Sequence, residues 1–543
     1  MGNKPGQDAM ASGQRVHTVG DKVDRFFDRY SGLIVTLTCL VFFALIVLIG
    51  HRKPIWYDEV FTITVATQPD WNHFIRALPP EGNPPLNVLL VRFFVHLFGP
   101  TAFSYRLPPL LGMIGALVGI YVFTKRELGN FYGVLAVALL LGESVWEYAF
   151  EARPYGLMLG FLMLALTGWQ AAARATELPE DRSRIVALTA MAIGILGCIL
   201  SHSIGIVEVG VPLLFGEITR SFQRRKVDWP LLATGLIAIP GMMIVIPTVH
   251  RTQHAILTRV DFITSPITMA KLIAYSHVIK GTAYLVVNRY FLLLSFLIVL
   301  LSFVFRSRTA AKSASRKTDF LSGSHSYIVA AAIGALLLIP ITWLAMIKAG
   351  GWYFTRYGIG SVIGIACLTC FIFSRNRASR WITMTQIAVA AMSFLASYVL
   401  YKPQFPLDPL ALRMLANSPS GLPLVIADSF DYPAIWWNAP KSEKPRLFYL
   451  KNLPAKTGEG RVIEEALLAE APYTDAHVTT ADAFLQTTDH FWLECRPPQN
   501  ALLQKIQESG FEAVPIEGMQ YTYDVRRKTD AITKLEPDAM VGK

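Results

Sequence analysis

Residues 31–50, SGLIVTLTCLVFFALIVLIG, are apolar and uncharged, and residues 51–59, HRKPIWYDE, follow with three basic positions and then two adjacent carboxylates. Twenty residues of α-helix rise about 30 Å, the hydrocarbon thickness of a bilayer, so the first stretch reads as a membrane span. About thirty mostly polar residues, among them Lys22, Arg25 and Arg29, precede it. That lead is unlike a cleavable signal peptide, and the run reads as a retained anchor.

Working outward, similar runs recur at approximately 104–124, 130–146, 154–172, 185–201, 203–219, 229–247, 285–305, 327–347, 356–374 and 381–401. Basic clusters occupy every second connection: Lys125/Arg126, Arg174/Arg182/Arg184, Arg220/Arg224/Arg225/Lys226, Arg306 to Lys317, and Arg375/Arg377/Arg380. Positive charge marks cytoplasmic loops. The segment Pro85–Gly99 is apolar but short and holds Arg92 and His96. A span there would invert every later loop and place an arginine in hydrocarbon, so it reads as an amphipathic helix in the outer interface. The expected architecture is an all-α polytopic membrane protein of about eleven spans, amino terminus inside, with a small extracytoplasmic α/β domain at the carboxyl end. Its expected parts are a cytoplasmic segment (1–30), a membrane domain (31–402), the α/β domain (403–528) and a mobile end (529–543).

Composition agrees. The 543-residue chain is 53% hydrophobic and only 16% charged, against roughly 25% for soluble domains. Its net charge of +11 sits in the loop clusters, so it sets topology and implies no nucleic-acid partner. Of five cysteines, four fall in spans, and Cys367-x-x-Cys370 inside one of them reads as packing rather than metal binding. In the tail, 421–428, 446–450, 490–495 and 520–525 read as strands, and 462–471 and 502–509 as helices. The loop Asp428–Asp431 reads as a structural turn.

The alternation gathers the chemistry on one side. Asp58-Glu59, Glu151 to Tyr155, His202, the basic loop 250–284 and Trp352 to Tyr357 all emerge outside. Trp56, Trp146, Trp352 and Tyr353 read as an interfacial aromatic belt. A carboxylate such as Asp58 can accept a proton during group transfer, and can equally be a solvated loop residue. Glu143, Glu147 and Glu151 are spaced to share one helical face, with Arg153 either binding an anion or pairing with Glu147 or Glu151. His202 reads as a hydrogen-bonded structural residue or a site group. Glu208, inside a span, is a functional candidate or faces a wet cavity. Arg356 and the basic loop point to a phosphate-bearing ligand or to lipid headgroups.

In order, Asp58-Glu59, Gly82-Asn83-Pro84-Pro85-Leu86, Phe98-Gly99, Arg106-Leu107-Pro108, Glu151-Ala152-Arg153-Pro154-Tyr155, His202 and Phe354-Thr355-Arg356-Tyr357 form a series. This series resembles glycosyltransferase family 39, GT-C enzymes that include protein O-mannosyltransferases and lipid A aminoarabinose transferases. The likeness spans about residues 30–375. It implies transfer of a sugar from a polyprenyl-phosphate donor to a lipid, glycan or protein acceptor, with inversion expected. By that resemblance Asp58 is the general base, with Glu59 in support and Glu151 orienting the acceptor or balancing Arg153. Arg153 and Arg356 hold the donor phosphate, and Tyr155, His202 and Tyr357 complete the substrate-binding set. Asn83 departs from the family, which commonly has Lys or His directly before Pro-Pro-Leu. No cluster has metal-ligand spacing, so no obligatory metal is expected. The competing class is a transporter or flippase of lipid-linked substrates, although the paired repeats common in transporters are missing from the sequence. Lacking a glycosylation sequon and a disulfide pair, the chain fits a bacterial inner membrane better than the endoplasmic reticulum.

Overall fold

The first apolar run lies inside α1 (Val19–Arg52), whose last turn carries His51 and Arg52, charges that complement a helix carboxyl end. The chain is described by a computed structural model covering residues 19–175, 181–256, 326–349, 355–375, 379–401, 407–451, 459–497 and 500–528, with Leu294 and Leu297. The expected span at 285–305, most of the basic loop 250–284, Trp352, Tyr353 and the end at 529–543 lie outside the described residues.

Three short helices, α2 (Tyr57–Ala66), α3 (Trp71–Glu81) and α4 (Leu86–Phe98), separate α1 from α5 (Ala102–Leu128). There follow α6 (Asn130–Leu141), a 3₁₀ turn (Ser144–Phe150), α7 (Tyr155–Ala175), α8 (Asp181–Ser201), α9 (Gly205–Arg224), α10 (Trp229–Gly235) and α11 (Ala238–Ile256). The membrane part continues with α12 (Ser326–Leu336), α13 (Leu338–Ala349), a 3₁₀ turn (Thr355–Gly358), α14 (Ser361–Ser374) and α15 (Ser379–Val399). Among the described residues, six helices are long and apolar enough to cross a membrane, or seven if α12 and α13, bent by 45°, form one span. This is a multi-pass membrane protein. The remaining expected spans meet shorter or more polar helices: α6 has 12 residues and α14 has 14, while α9 carries Glu208, Glu217, Arg220 and Arg224.

Helices α5 and α7 cross with their backbones nearly touching. A Cβ added at Gly112 would lie 2.3 Å from the Leu157 Cα, and one at Gly160 2.4 Å from the Gly112 carbonyl oxygen. In lipid, where helices gain little hydrophobic drive for one another, such small-residue contacts let dispersion hold the pair. The crossing fixes the start of α7, where Tyr155 stands.

Helix α4 matches its amphipathic reading. Asn87, Val88, Val91 and Arg92 are buried, while Phe93, Leu97 and Phe98 are exposed. Arg92 donates to the carbonyl oxygens of Ala66 (3.1 Å) and Gln68 (2.5 Å), satisfying orphan acceptors where α2 ends. Two expectations fail. Trp56 and Trp146 are buried in protein, because both pack into aromatic clusters instead of facing lipid. The three glutamates do not share an α-helical face. After Gly142 the chain turns 3₁₀ and Glu151 is extended, and a 3₁₀ helix repeats every three residues instead of 3.6.

The tail folds as expected into an α/β unit. Its helices are α16 (Pro409–Asn417), α17 (Asp431–Asn438), α18 (Glu459–Glu470), α19 (Ala481–Thr487) and α20 (Asn500–Glu508). Strands β1 (Leu424–Ile426), β2 (Leu447–Lys451), β3 (His477–Thr480), β4 (His490–Glu494), β5 (Phe511–Pro515) and β6 (Thr522–Arg527) form one sheet in the order β3-β2-β1-β4-β6-β5. The first four are parallel, and β6 pairs antiparallel with both β4 and β5. The Asp428 loop is the structural turn expected: its Oδ1 accepts from the amides of Phe430 (2.8 Å) and Asp431 (3.3 Å) and opens α17.

Candidate active site

Adjacent in sequence, Asp58 and Glu59 enter the first turn of α2 and part there. Glu59 is fully buried. Arg106, from α5, donates to both of its oxygens at 2.8 and 2.7 Å, and the Ala152 amide adds a third bond at 2.7 Å. Burial alone would raise this carboxyl; the charge and hydrogen bonds of Arg106, aided by Lys53 and Ala152, hold it below its ordinary value. Arg106 also donates to the carbonyls of Lys53 (3.0 Å) and Pro54 (3.2 Å), tying the link between α1 and α2 to α5. Glu59 is thereby saturated and acts as scaffold.

Asp58 points elsewhere. Its Oδ2 lies 3.7 Å from Arg153 Nε and 3.5 Å from Arg356 Nη2. That oxygen is buried and makes no hydrogen bond among the described residues, as is also true of Arg153 Nε. Arg153 does donate through Nη1 to the Asp58 carbonyl oxygen at 3.2 Å. Two guanidinium groups thus face one carboxylate just beyond hydrogen-bond range.

Arg153 is balanced from a second side by Glu81, at 3.8 Å. Burial works against its charge, but Asp58, Tyr155 and Glu81 together keep its proton bound more tightly than usual. Glu151 instead pairs with Lys53 at 2.6 Å, because the extended chain at 151 aims it toward the end of α1. Glu81 ends α3, where Gly82 takes a left-handed φ of 75° and turns the chain into Asn83. Asn83 donates to Glu81 from its backbone (2.7 Å) and its side chain (3.2 Å). The neutral amide in place of the family's cation therefore serves a carboxylate. Burial raises Glu81, against the pull of Arg153, Thr62 and Asn83.

Aromatic groups wall the site. Arg356 lies over the Tyr155 ring at 5.6 Å, and His202 is flanked by Tyr155 at 5.0 Å and Tyr357 at 5.8 Å. Burial first, then the charges of Arg153 and Arg356, push His202 down to about 3, so its imidazole is neutral. The Ile204 amide donates to its Nδ1 at 3.1 Å, which leaves the proton on Nε2, free to donate. Glu208 is fully buried rather than facing a wet cavity, and its Oε2 accepts from the Gly360 amide at 2.9 Å, where α14 begins.

The structure brings together Asp58, Arg153, Tyr155, His202, Arg356 and Tyr357, and sets Glu59 and Glu151 one layer behind. Sequence reasoning missed Glu81, Lys53 and the role of Arg106. Glu81 directly precedes the Gly82-Asn83-Pro84-Pro85 series, which was the available signal. Lys53 had none. Among the described residues no group of three or more His, Cys, Asp or Glu is arranged to hold a metal ion. Cys367 and Cys370 are buried, with sulfurs near Thr124 Oγ1 (3.9 Å) and the Tyr132 carbonyl (3.5 Å), as packing requires.

Residues 82–247 match the family model described as dolichyl-phosphate-mannose-protein mannosyltransferase. No curated protein matches the chain in sequence. Two crystal structures of ArnT from Cupriavidus metallidurans are similar in fold. The apo form has a TM-score of 0.56 at 13% identity, covering 92% of this chain and 97% of that one. The form bound to undecaprenyl phosphate has a TM-score of 0.56 at 12% identity, covering 91% and 97%. The resemblance to glycosyltransferase family 39 read from the residues is thus borne out: this chain has a GT-C fold with a small α/β domain at its carboxyl end.

Proposed function

We propose that the protein is a membrane glycosyltransferase that moves a sugar from a polyprenyl-phosphate donor to an extracytoplasmic acceptor, with Asp58 as the base. The observation that carries this reading is the buried Asp58 Oδ2, without a hydrogen-bond partner among the described residues and faced by two guanidinium groups at 3.5 and 3.7 Å. The mannosyltransferase family model and the ArnT structure with undecaprenyl phosphate support the donor class.

The acceptor's hydroxyl or amine attacks the anomeric carbon as its proton passes to Asp58. The bond from that carbon to the phosphate oxygen breaks, and the polyprenyl phosphate leaves with an added negative charge. Arg153 and Arg356 meet that charge where water is scarce and fixed cations act most strongly. Neutral His202 can donate to the same phosphate through Nε2, and Tyr155 and Tyr357 hold the ring walls. A single displacement inverts the anomeric centre. Glu59 and Glu151, each held by a cation, position α2 and the turn before α7. No step is routed through a metal, and chelator-treated protein is expected to keep its turnover. The amino terminus is assigned to the cytoplasm and the site to the outer face of a bacterial inner membrane, following the basic loops.

The test is sugar release from polyprenyl-phosphate donors by purified protein with a mixed acceptor extract. Wild type is compared with Asp58→Asn and with Asp482→Asn, an exposed carboxylate on α19. Turnover lost only with Asp58 supports the reading. Wild-type protein inert toward every donor, yet moving lipid or solute across vesicles, would replace it with a transporter.

A further inference from the structure

The carboxyl-terminal domain packs against α2, the helix that carries Asp58. Trp56, which caps α2, and Tyr57 and Phe61 within it are buried in the same cluster as Tyr432, Ile435 and Trp436 of α17 and Tyr449 of β2. Tyr57 meets Phe430, just before α17, edge-on at 5.1 Å. Tyr57 and Phe61 of α2 are therefore core of a domain that begins more than 330 residues after that helix.

Polar contacts join this interface at both ends of α2: beyond its end Gln68 Nε2 donates to the Tyr473 carbonyl oxygen at 3.0 Å, and before its start the contact is made by the last residue of α17. Asn438 Nδ2 donates to the Ile55 carbonyl oxygen at 2.7 Å, and the Ile55 amide donates to Asn438 Oδ1 at 3.3 Å. The other Nδ2 hydrogen goes to the Ala434 carbonyl oxygen at 2.8 Å, one turn back along α17, so the amide is held by its own helix. Ile55 is buried and directly precedes Trp56, the residue that caps α2. From the other side, Arg106 holds the carbonyls of Lys53 and Pro54. Residues 53–55, just before the cap of the helix, are thus gripped by α5 on one side and by the soluble domain on the other.

We propose that Asn438 is a positioning residue: the α/β domain fixes the start of α2 through the Asn438–Ile55 pair and so sets where the Asp58 carboxylate stands against Arg153 and Arg356. The proposal rests on the reading of Asp58 as proton acceptor. A helix of 10 residues moves as a body, and Asp58 is in its first turn, three residues from the clamp. Misplacement of a catalytic group by about 1 Å can cost on the order of a hundredfold in rate. Removing the amide leaves a buried peptide group without partners, which drives that backbone toward water.

The experiment uses the full-length protein in nanodiscs, comparing wild type, Asn438→Ala and Asn417→Ala, an exposed asparagine in α16. Two quantities are read: kcat and KM for a polyprenyl-phosphate sugar, and amide hydrogen exchange over residues 53–66 and over β1. Asn438→Ala is expected to lower kcat by about tenfold to a hundredfold with KM for the donor within about twofold. Exchange at Ile55 to Val60 should rise by about tenfold or more while β1 stays as protected as in wild type. Asn417→Ala should match wild type in both. A kcat within about twofold of wild type, unchanged exchange before α2, or an equal rise in β1 would overturn the proposal. If the wild-type protein turns over no donor, the transferase reading falls; the exchange measurement then still decides whether Asn438 fixes α2.

Discussion

The helices α7, α8 and α9 carry charged clusters at both ends, and the two ends are built differently. At the far end Arg220 donates to both Glu217 oxygens (2.9 and 2.8 Å) and to Asp228 (2.8 Å). Arg184 adds a bond to Asp228 at 2.5 Å, and Trp169 Nε1 one to Glu217 at 3.0 Å. At the site end Asp58, Arg153, Glu81 and Arg356 sit 3.5 to 3.8 Å apart, and Asp58 Oδ2 makes no hydrogen bond among the described residues. Both ends are buried, so exposure does not separate them. Satisfaction of the carboxylates does. At the far end every carboxylate oxygen of Glu217 and Asp228 accepts a hydrogen bond, although Arg220 Nη1 and Arg184 Nε have none among the described residues, so that network stabilises the bundle. A carboxylate oxygen held just out of reach of two cations, by contrast, can still bond a ligand's own polar groups.

The sharpest way to break this comparison is Asp58→Asn, which keeps the shape and removes the base. Turnover should fall by about 10²–10⁴-fold with the protein still folded, as single-turnover assays and size exclusion would show. Glu59→Gln differs in kind: it leaves Arg106 buried without its anion, so folded yield should drop along with turnover. Next is Arg356→Ala, expected to lower kcat by about 10²–10³-fold, since it deletes one of two cations assigned to the leaving phosphate. At the far end Arg220→Ala should cost about 3–5 kcal/mol of stability through unpaired Glu217 and Asp228. The protein that remains folded should turn over like wild type; a specific loss of turnover there would erase the distinction between the ends.

The smallest effect lies in the α/β domain, which has a third kind of cluster. Arg496 is shared by Glu494 (2.9 Å), Asp408 (3.4 Å) and Asp431, an excess of carboxylate over cation. Burial, with neighbouring carboxylates adding to it, raises Asp431 to about 6 and Glu494 to about 8. Both acids hold protons more tightly folded than unfolded, so their stabilisation is complete below the unfolded values near 4 and is lost as pH rises through 6 and then 8. The domain's melting temperature should therefore rise on going from pH 8.5 to pH 5.5, an interval of ~3 pH units. Glu494→Gln should flatten the upper part of that profile. A melting temperature that falls on acidification would show that Arg496 already satisfies the cluster, as Arg220 does.

The membrane architecture was legible because the bilayer imposes a length and a sidedness on the chain. Apolar runs read out the length, and Asp58, Arg153, His202 and Arg356, which the count of basic loops placed on one face, do meet. Where the count strained, the cause is local: α6 ends at Gly142 and gives way to a 3₁₀ turn, which hydropathy over a window cannot detect. The tail's parallel strands were partly legible, but β3 was not, because its burial is only partial and its sequence, His477-Val-Thr-Thr480, is weakly apolar.

Within the site, the ordered series that resembles glycosyltransferase family 39 selected Asp58, Arg153, His202 and Arg356, for each of which the residue type alone left a structural alternative open. Which carboxylate is scaffold and which is poised was decided by the fold alone. Asp58 and Glu59 are chemical near-equals one residue apart, and successive helical side chains diverge by about 100°, so Glu59 meets Arg106 and Asp58 faces Arg153 and Arg356. The partners of Glu151 and Glu81, and the grip of Asn438 on Ile55 across 383 positions, depend likewise on contacts between distant segments. Periodicity and charge pattern determine which residues share a side of the membrane. Which of them touch, and which are left unsatisfied, is fixed only when the helices pack and burial makes each missing partner costly.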